Sequence, residues 1–329
     1  MSGDPQKVLV VGASGYLGAL ISAQLGSQGH CVMGWGRRKS AVSMFLEYGN
    51  IVYHTGDLVA EDTLRAMIDV RPDAVIYCAS LNQSDSERHP EHALRVNVGP
   101  VSRLLEKLAS TATNPTRFIY LSTAHVYERL AGSIDENSPT GPRSTYGLTH
   151  LMCEQLLQGY ADVGLIQLNI LRISNGYGPP LDLEQDCWTL AVNDFCRSAV
   201  VDQKIILRSD GLAERDFVFV GDILNAVTTL ACSGQTTVDR VYNVGSGHTL
   251  SILDLAKTVA ERYRAFSGKE CHISVPNQGD TIERSGNTRQ SNERLLYKSK
   301  ISEVVVGREP TTLNQGMDKL FAFLSQEVR

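Results

Sequence analysis

Three glycines near the start of the chain have the spacing of a loop that binds phosphate. The apolar run at residues 7–11 leads directly into residues 12–18, which read Gly-x-x-Gly-x-x-Gly, and a helical pattern follows. Glycine lets the backbone turn sharply and approach a pyrophosphate, and the helix offers free N–H groups and a positive dipole end. Between a first strand and a helix, this spacing indicates dinucleotide binding. The residues expected to contact that cofactor are Gly12, Ser14, Gly15, Tyr16, Leu17 and Gly18.

The end of the second predicted strand bears on which dinucleotide binds. An NAD site would place Asp or Glu there, where the carboxylate accepts hydrogen bonds from ribose hydroxyls. Residues 34–40 read Gly-Trp-Gly-Arg-Arg-Lys-Ser and contain no carboxylate. Arg37 and Arg38 could pair with the 2′-phosphate of NADP(H), or they could form a solvated basic turn. The sequence favours NADP(H) over NAD(H).

The elements that must position these loops alternate regularly through the first half of the chain. Strands are predicted at residues 7–11, 30–35, 51–54, 74–78, 117–121 and 166–172, and helices at residues 16–28, 40–48, 61–70, 90–109 and 146–160. Such connections require right-handed crossovers between parallel strands, which predicts an α/β fold, a doubly wound Rossmann-like parallel sheet. We expect an NADP-binding domain at residues 1–172. Residues 173–329 would form mainly a smaller substrate-binding lobe, interleaved with returns to the main sheet.

Composition and charge argue against several classes of protein. The net charge of −5 argues against the basic surface that a nucleic-acid-binding protein would have. No apolar run reaches the roughly 18 residues of a membrane span, and the first residues do not resemble a signal peptide, so a cytoplasmic protein is expected. The seven cysteines are dispersed without a Cys-x-x-Cys pair. They are expected to be reduced thiols rather than disulfides or ligands of a metal.

Short motifs along nearly the whole chain carry a resemblance to one family. In order they read Gly56-Asp57-Leu58, Cys78-Ala79-Ser80, Asn97-Val-Gly, Ser122-Thr123, Tyr146-Gly-Leu-Thr-His150, Arg172-Ile-Ser-Asn175, Arg215-Asp216 and Tyr242-Asn243-Val-Gly245. With the glycine loop, this order resembles the extended short-chain dehydrogenases/reductases, which include nucleotide-sugar epimerases, dehydratases and 4-ketoreductases. The resemblance implies that Asp57, Leu58, Ala79, Ser80 and Asn97 lie along the cofactor.

The resemblance also assigns the chemistry. Hydride would move between a nicotinamide and a sugar carbon while Tyr146 gives or takes the proton of the attached oxygen, with Thr123 orienting that oxygen. Ser122 is a weaker candidate for the role of Thr123. A tyrosine phenol has an ordinary pKa near 10, so nearby positive charge would help it to act as a base.

His150 departs from the family pattern Tyr-x-x-x-Lys. It keeps the one-turn helical spacing from Tyr146 and can hydrogen-bond ribose, but its charge near pH 7 is only fractional. Imidazolium would stabilise the Tyr146 anion, whereas neutral imidazole would only anchor the cofactor. Three interpretations stay open: an active variant, a weakened enzyme, and a cofactor-binding protein without turnover.

The substrate end shows further departures. Dehydratases of the family carry Asp-Glu after the threonine, and this chain has Ala124-His125, which argues against 4,6-dehydration. His125 could contact substrate or be structural. By analogy Asn175 and Arg215 would hold the diphosphate, although Arg215 could instead pair with an acid. The family's Arg-x-Gly-Asp is replaced by residues 277–280, Asn-Gln-Gly-Asp, for which Arg284 or Arg289 could substitute. Residues 185–196 are expected to form an apolar core helix, with Trp188 or Asn193 as alternative substrate contacts.

Together these observations predict an NADP(H)-dependent reductase of a 4-keto nucleotide sugar. The alternatives are a nucleotide-sugar epimerase with a tightly held cofactor and a non-catalytic NADP(H)-binding sensor or scaffold. The helices at residues 90–109 and 146–160 correspond to those of the family's dimer interface, so a homodimer is expected. Its apolar seam would be formed by Val98, Val101, Leu104, Leu105, Leu148, Leu151, Met152 and Leu156.

Overall fold

The computed structural model describes residues 4–111, 114–232, 239–276, 293–305 and 309–327, without the side chain of residue 111. The strands are β1 (Lys7–Val11), β2 (Cys31–Gly36), β3 (Ile51–Thr55), β4 (Ala74–Tyr77), β5 (Thr116–Thr123), β6 (Ser133–Ile134), β7 (Ile166–Ile173), β8 (Asn175–Tyr177), β9 (Lys204–Ile206), β10 (Glu214–Phe219), β11 (Val241–Val244), β12 (Thr249–Ser251), β13 (His272–Ser274) and β14 (Leu296–Tyr297). The α-helices are α1 (Tyr16–Ser27), α2 (Glu61–Asp69), α3 (Gln83–Arg88), α4 (Pro90–Ala93), α5 (Gly99–Thr111), α6 (Thr145–Asp162), α7 (Ala191–Asp202), α8 (Val220–Cys232), α9 (Ile252–Ser267) and α10 (Leu313–Glu327).

A seven-stranded parallel sheet forms the centre of the fold. Its strand order is β11-β7-β5-β4-β1-β2-β3, with every neighbouring pair parallel. Strands β1 and β4 are apolar on both faces and almost wholly buried, as central parallel strands between two helical layers must be. The predicted doubly wound α/β fold is confirmed. Because parallel strands end at the same edge, the loops after β1, β2, β4 and β5 meet there.

Three predicted helices differ from the observed ones. Residues 40–48 form only a 3₁₀ helix at Lys39–Phe45, where two residues, Ala41 and Phe45, are buried, too few to hold a longer helix on the sheet. The helix predicted at 90–109 contains a π-helical turn at Leu94–Val98 between α4 and α5. The helix predicted at 185–196 begins only at Ala191.

The chain beyond residue 173 builds a smaller body and also returns to the main sheet. Strands β12, β10 and β8 form a three-stranded sheet, β13 pairs with β9, and helices α7, α9 and α10 pack together. Strand β11 is nevertheless the outermost strand of the main sheet. The boundary at residues 172/173 remains a prediction.

The described residues contain neither a membrane-spanning helix nor a cluster of metal ligands. No helix among them is long and apolar enough to cross a membrane. None of their His, Cys, Asp and Glu side chains form a group of three or more that could hold a metal ion.

Candidate active site

The glycine loop is packed tightly where it turns and open where a ligand would approach. Gly12 has φ of +90°, and a Cβ there would lie 2.9 Å from the backbone nitrogen of Ala79. A Cβ on Gly18 would lie 2.2 Å from the carbonyl oxygen of Gly12. At Gly15 a Cβ would meet only that same carbonyl oxygen, at 3.3 Å, so its outer side is free. Helix α1 begins there without a side-chain cap or an acidic first turn. These features fit a dinucleotide pyrophosphate.

Two other residues of this loop have partners within the protein. The hydroxyl of Tyr16 donates to the carbonyl oxygen of Gly178 at 2.8 Å. Ser14 hydrogen-bonds Tyr53, and Leu17 is partly buried against the core. The loop is therefore held in place by β3, through Tyr53, and by the C-terminal lobe, through Gly178.

The two arginines after β2 have different surroundings. Arg37 is exposed and makes no ion pair with a described residue. Arg38 pairs with Asp182 at 3.2 Å and with Glu184 at 3.3 Å, both on the segment that leads to α7. Gln185 of that segment donates to the carbonyl oxygen of Gly15 at 3.2 Å. This segment therefore lies against the glycine loop, and the helix predicted to start at residue 185 begins only at Ala191.

The residues expected along the cofactor follow β3 and β4. Leu58 is buried, while the exposed Asp57 accepts a hydrogen bond from the backbone of Val59. Ala79 lies beside Gly12 of the glycine loop, just after the end of β4, and the exposed Ser80 follows it. Asn97, on the π-helical turn, accepts from the Leu81 backbone at 2.8 Å and donates to Thr149 at 3.0 Å. It thereby joins the loop after β4 to helix α6.

Thr123 and Tyr146 meet at the carboxyl end of β5. The Thr123 hydroxyl is hydrogen-bonded to the phenol of Tyr146 and accepts from the backbone N–H of His125 at 3.2 Å. The imidazole of His125 lies edge-on to the Tyr146 ring, with 5.9 Å between ring centroids. Burial raises the pKa of Tyr146, and the bond from Thr123 opposes that shift. The phenol is therefore protonated at neutral pH.

His150 also packs against the ring of Tyr146. Its ring centroid is 4.6 Å from that of Tyr146, and its Nδ1 is 3.0 Å from the hydroxyl oxygen of Tyr120. Burial, with a smaller effect of His125, lowers the pKa of His150 to about 3. The imidazole is neutral at pH 7, so it gives the tyrosine none of the positive charge that a lysine would give. A neutral imidazole argues against stabilisation of the Tyr146 anion, and the other role, anchoring the cofactor, remains a prediction.

A buried ion pair holds helix α6 to the sheet. Glu154 and Arg172 are both almost fully buried, with 2.7 Å between Oε2 and Nη2. Ser122 donates to Glu154 at 2.5 Å, so its hydroxyl is held beneath the site rather than facing a substrate. Glu154 lies one helical turn after His150 and two after Tyr146. The pair therefore fixes the helix that carries both.

Two side chains, Ser144 from the preceding residue and Glu87 from α3, cap the first turn of helix α6. Ser144 accepts from the backbone of Gly147, and both carboxylate oxygens of Glu87 accept from the backbone N–H groups of Thr145 and Tyr146. Since these bonds use both of its oxygens, Glu87 acts here as a cap. Ala124 and His125 leave no carboxylate after Thr123, as the sequence indicated.

The two residues expected to bind the diphosphate differ in how far protein groups already occupy their side chains. Asn175 donates to the backbone oxygen of Asp216 at 2.8 Å. Arg215 is half-buried and makes no ion pair with a described residue; it donates to the carbonyl oxygen of Glu214, and burial lowers its pKa. Asp216 accepts instead from Ser174 and Ser246. Residues 277–280, 284 and 289 lie outside the described residues.

Two other proposed substrate contacts are engaged elsewhere. Asn193 is fully buried and bridges the backbone N–H and carbonyl of Gly178, both at 3.0 Å. Trp188 donates to the Leu183 carbonyl and lies under the guanidinium of Arg197. Core and loop packing account for both.

Comparisons with known proteins point to one family. Residues 8–245 match the model of the NAD dependent epimerase/dehydratase family. The chain belongs to this family. Among its relatives, the dTDP-L-rhamnose 4-epimerase of Burkholderia thailandensis is 27% identical over 80% of this chain and 82% of its own length. The UDP-glucose 4-epimerase of Mycolicibacterium smegmatis is 25% identical over 96% of this chain and 98% of its own.

Solved structures share the fold of this family member. MoeE5 in complex with UDP-glucose and NAD has a TM-score of 0.78 and 23% identity, covering 98% of this chain and 100% of its own. The UDP-glucose 4-epimerase of Thermotoga maritima, with UDP-glucose, has a TM-score of 0.79 and 21% identity over the same shares.

Four residues around the site do not follow from the sequence motifs. They are Tyr120, Glu154, Asp182 and Glu184, none of which belongs to a motif of the family resemblance. A signal existed for the first two: Tyr120 and Ser122 share one face of a strand, and His150 and Glu154 share one face of a helix. For Asp182 and Glu184 no comparable spacing exists, because their partner Arg38 lies far away in sequence.

Proposed function

We propose that this protein is a nucleotide-sugar 4-epimerase that retains a nicotinamide cofactor. The observation that carries the proposal is the Thr123–Tyr146 pair at the end of β5, flanked by two histidines and followed by no carboxylate. The sequence alone favours a 4-ketoreductase. Two relatives that match most of this chain are named as 4-epimerases, and these names favour inversion at C4.

The site residues would divide the chemistry as follows. Tyr146 takes the proton of the C4 hydroxyl and returns it to the oxygen of the 4-keto intermediate, while Thr123 orients that oxygen. His150 holds the cofactor ribose. A nicotinamide bound beside Tyr146 would exchange the hydride and, when oxidised, add a positive charge that lowers the tyrosine pKa. Arg215 supplies a half-buried cation for the substrate diphosphate.

The retained cofactor gives the first test. An epimerase returns the hydride that it removes, so its dinucleotide need not leave between turnovers. Mass spectrometry of nucleotides released from the purified, undialysed protein should detect a nicotinamide dinucleotide. Protein that purifies empty and exchanges NADPH freely would favour the reductase instead.

A 4-ketoreductase using NADPH is the second candidate, because no acid ends β2 and Arg37 is unpaired among the described residues. If the 2′-phosphate binds there, Arg37→Ala should weaken NADPH binding by about 10-fold or more, from loss of a charge-assisted bond of about 1.5–3 kcal/mol. NADH binding should not change. Titration of both dinucleotides measures this, with the exposed Arg208→Ala as control. Equal NADPH affinity in Arg37→Ala would remove the basis for NADP(H).

A homodimer through α5 and α6 is also proposed, with a seam different from the predicted one. Val101, Leu104 and Leu105 are fully buried against the sheet and cannot face a partner. A groove of about 670 Å³ lies between the two helices on their outer side. Leu156 and Tyr160 are among the residues that line it. The remaining lining residues are Glu106, Ala109, Ser110, Gln155, Gly159, Val163 and Leu165.

This surface predicts the effect of one substitution on assembly. Leu156→Glu should shift the protein from dimer to monomer in light scattering at micromolar concentration, since it places a charge in an apolar seam. Leu46→Glu, at a 75% exposed leucine, is the control and should leave the mass unchanged. A monomeric wild type, or a Leu156→Glu protein that stays dimeric, would contradict the proposed interface.

A further inference from the structure

Tyr120 lies on β5 within hydrogen-bond distance of His150. The two side chains are buried, and Nδ1 of the imidazole is 3.0 Å from the tyrosine oxygen. The other nitrogen, Nε2, is also buried and has no hydrogen-bond partner among the residues that the structure describes. A buried polar atom without a partner is costly, and such atoms are rare in folded proteins. Nε2 is therefore the atom of His150 that is left for a ligand.

The direction of the bond between the two residues follows from their protonation. His150 is neutral at pH 7, so one ring nitrogen carries a hydrogen and the other accepts. Burial raises the pKa of Tyr120, so the phenol keeps its single proton. It could donate that proton to Nδ1 or to the sulfur of Cys153, which is also in contact. Sulfur is the weaker acceptor, which favours donation to Nδ1 and an imidazole hydrogen on Nε2.

We propose that Tyr120 is a positioning residue, which fixes the tautomer and ring orientation of His150 so that Nε2–H donates to a ribose hydroxyl of the nicotinamide cofactor. The identity of that ligand rests on the proposed function. A lysine would offer three N–H donors that rotate freely on a flexible stem. An imidazole offers one, in a direction set by the ring. Its other nitrogen must therefore be held, as in other sites where a second residue fixes a histidine tautomer.

Proton transfer does not explain the position of Tyr120. The neighbouring thiol of Cys153 donates to the carbonyl oxygen of Asn97 at 3.4 Å. Cys153 and Asn97 are both buried, so the chain from His150 ends at a backbone carbonyl rather than at solvent. A carbonyl oxygen has no proton to pass on. Tyr120 can orient the imidazole but cannot supply it with protons from outside.

A matched control lies beside Tyr120. Tyr77 is also fully buried, its ring centroid is 6.1 Å from that of Tyr120, and its hydroxyl has no partner among the described residues. Tyr77→Phe and Tyr120→Phe therefore remove the same atom from neighbouring positions in the core. Only the second removes a bond to His150.

The tautomer can be measured without any ligand. In protein labelled with ¹⁵N-histidine, the His150 signals are those missing from His150→Ala. Wild type should show hydrogen on Nε2 and a bare Nδ1. Tyr120→Phe should show a mixture of tautomers, and Tyr77→Phe should match wild type. Hydrogen on Nδ1 in wild type, or an unchanged tautomer in Tyr120→Phe, would overturn the proposal.

Cofactor affinity separates this inference from the proposed function. Tyr120→Phe should weaken dinucleotide binding about 3- to 10-fold, the effect of one hydrogen bond, and Tyr77→Phe should not. In a His150→Ala background, Tyr120→Phe should cause no further loss. Wild-type affinity in Tyr120→Phe, in a protein that does bind dinucleotide, overturns the role of Tyr120 alone. A wild type that binds no nicotinamide dinucleotide overturns the proposed function and the ligand assigned to Nε2, whatever its tautomer.

Discussion

Tyr146→Phe should lower kcat on the order of 10²-fold or more, because the substitution removes the proposed acid/base without changing the shape of the ring. The phenol is the group that the Thr123 hydroxyl contacts and that both histidine rings flank. Dinucleotide binding should change little, since the phenol oxygen is assigned to the sugar. Steady-state assays on nucleotide sugars and a dinucleotide titration measure the two effects separately.

A second tyrosine on the same helix serves as the control. Tyr160 lies near the far end of α6, and Tyr160→Phe should keep the wild-type rate. Equal rates for Tyr146→Phe and wild type would mean that another group moves the proton. The mechanism would then be wrong even though the family assignment stands.

Arg172→Met should destabilise the protein by about 3–5 kcal/mol, because it leaves the carboxylate of Glu154 buried without its partner. Arg172 makes a bidentate contact with Glu154 and also donates to the hydroxyl of Tyr127 at 3.1 Å. Urea unfolding of wild type and variant gives the difference in the free energy of unfolding. The exposed pair Arg129–Glu293 provides a comparison, and Arg129→Met should cost no more than about 1 kcal/mol.

The double variant distinguishes a lost charge partner from lost packing. Adding Glu154→Gln to Arg172→Met removes the unpaired charge and should recover part of the stability. If Arg172→Met is as stable as wild type, the buried pair does not fix α6. If the double variant is less stable than Arg172→Met, the cost arises from packing rather than from charge.

The sequence predicts the parts of this protein that depend on local pattern. The glycine spacing, the apolar strands and the order of motifs give the fold and the positions of Thr123 and Tyr146. The charge state of His150 does not follow from spacing, because it depends on burial that only the packed helix creates. Leu104 and Leu105 illustrate the same limit: an apolar helix face can cover the sheet or a partner, and sequence does not distinguish them.

Contacts between segments that are distant in the chain cannot be predicted from local sequence pattern for a similar reason. The sequence predicts that Arg38 either belongs to a solvated basic turn or binds the 2′-phosphate. In the structure it forms ion pairs with Asp182 and Glu184 from the C-terminal half. Residues 185–196 look helical by their apolar spacing. The first of them, up to residue 190, form a loop instead, where Gln185 is bound to the glycine loop and Arg38 to the acids just before it.

Inversion at C4 tests the central claim most directly. Wild-type protein is incubated in D₂O with UDP-glucose, UDP-galactose and a dTDP-hexose, without added reductant, and the sugars are followed by ¹H NMR. We predict that at least one substrate gives its 4-epimer and keeps protium at C4, because the hydride that leaves that carbon is the one that returns. Intact sugars after prolonged incubation, from protein that contains a bound nicotinamide dinucleotide and reduces a 4-keto nucleotide sugar with NADPH, would contradict the epimerase and establish the reductase.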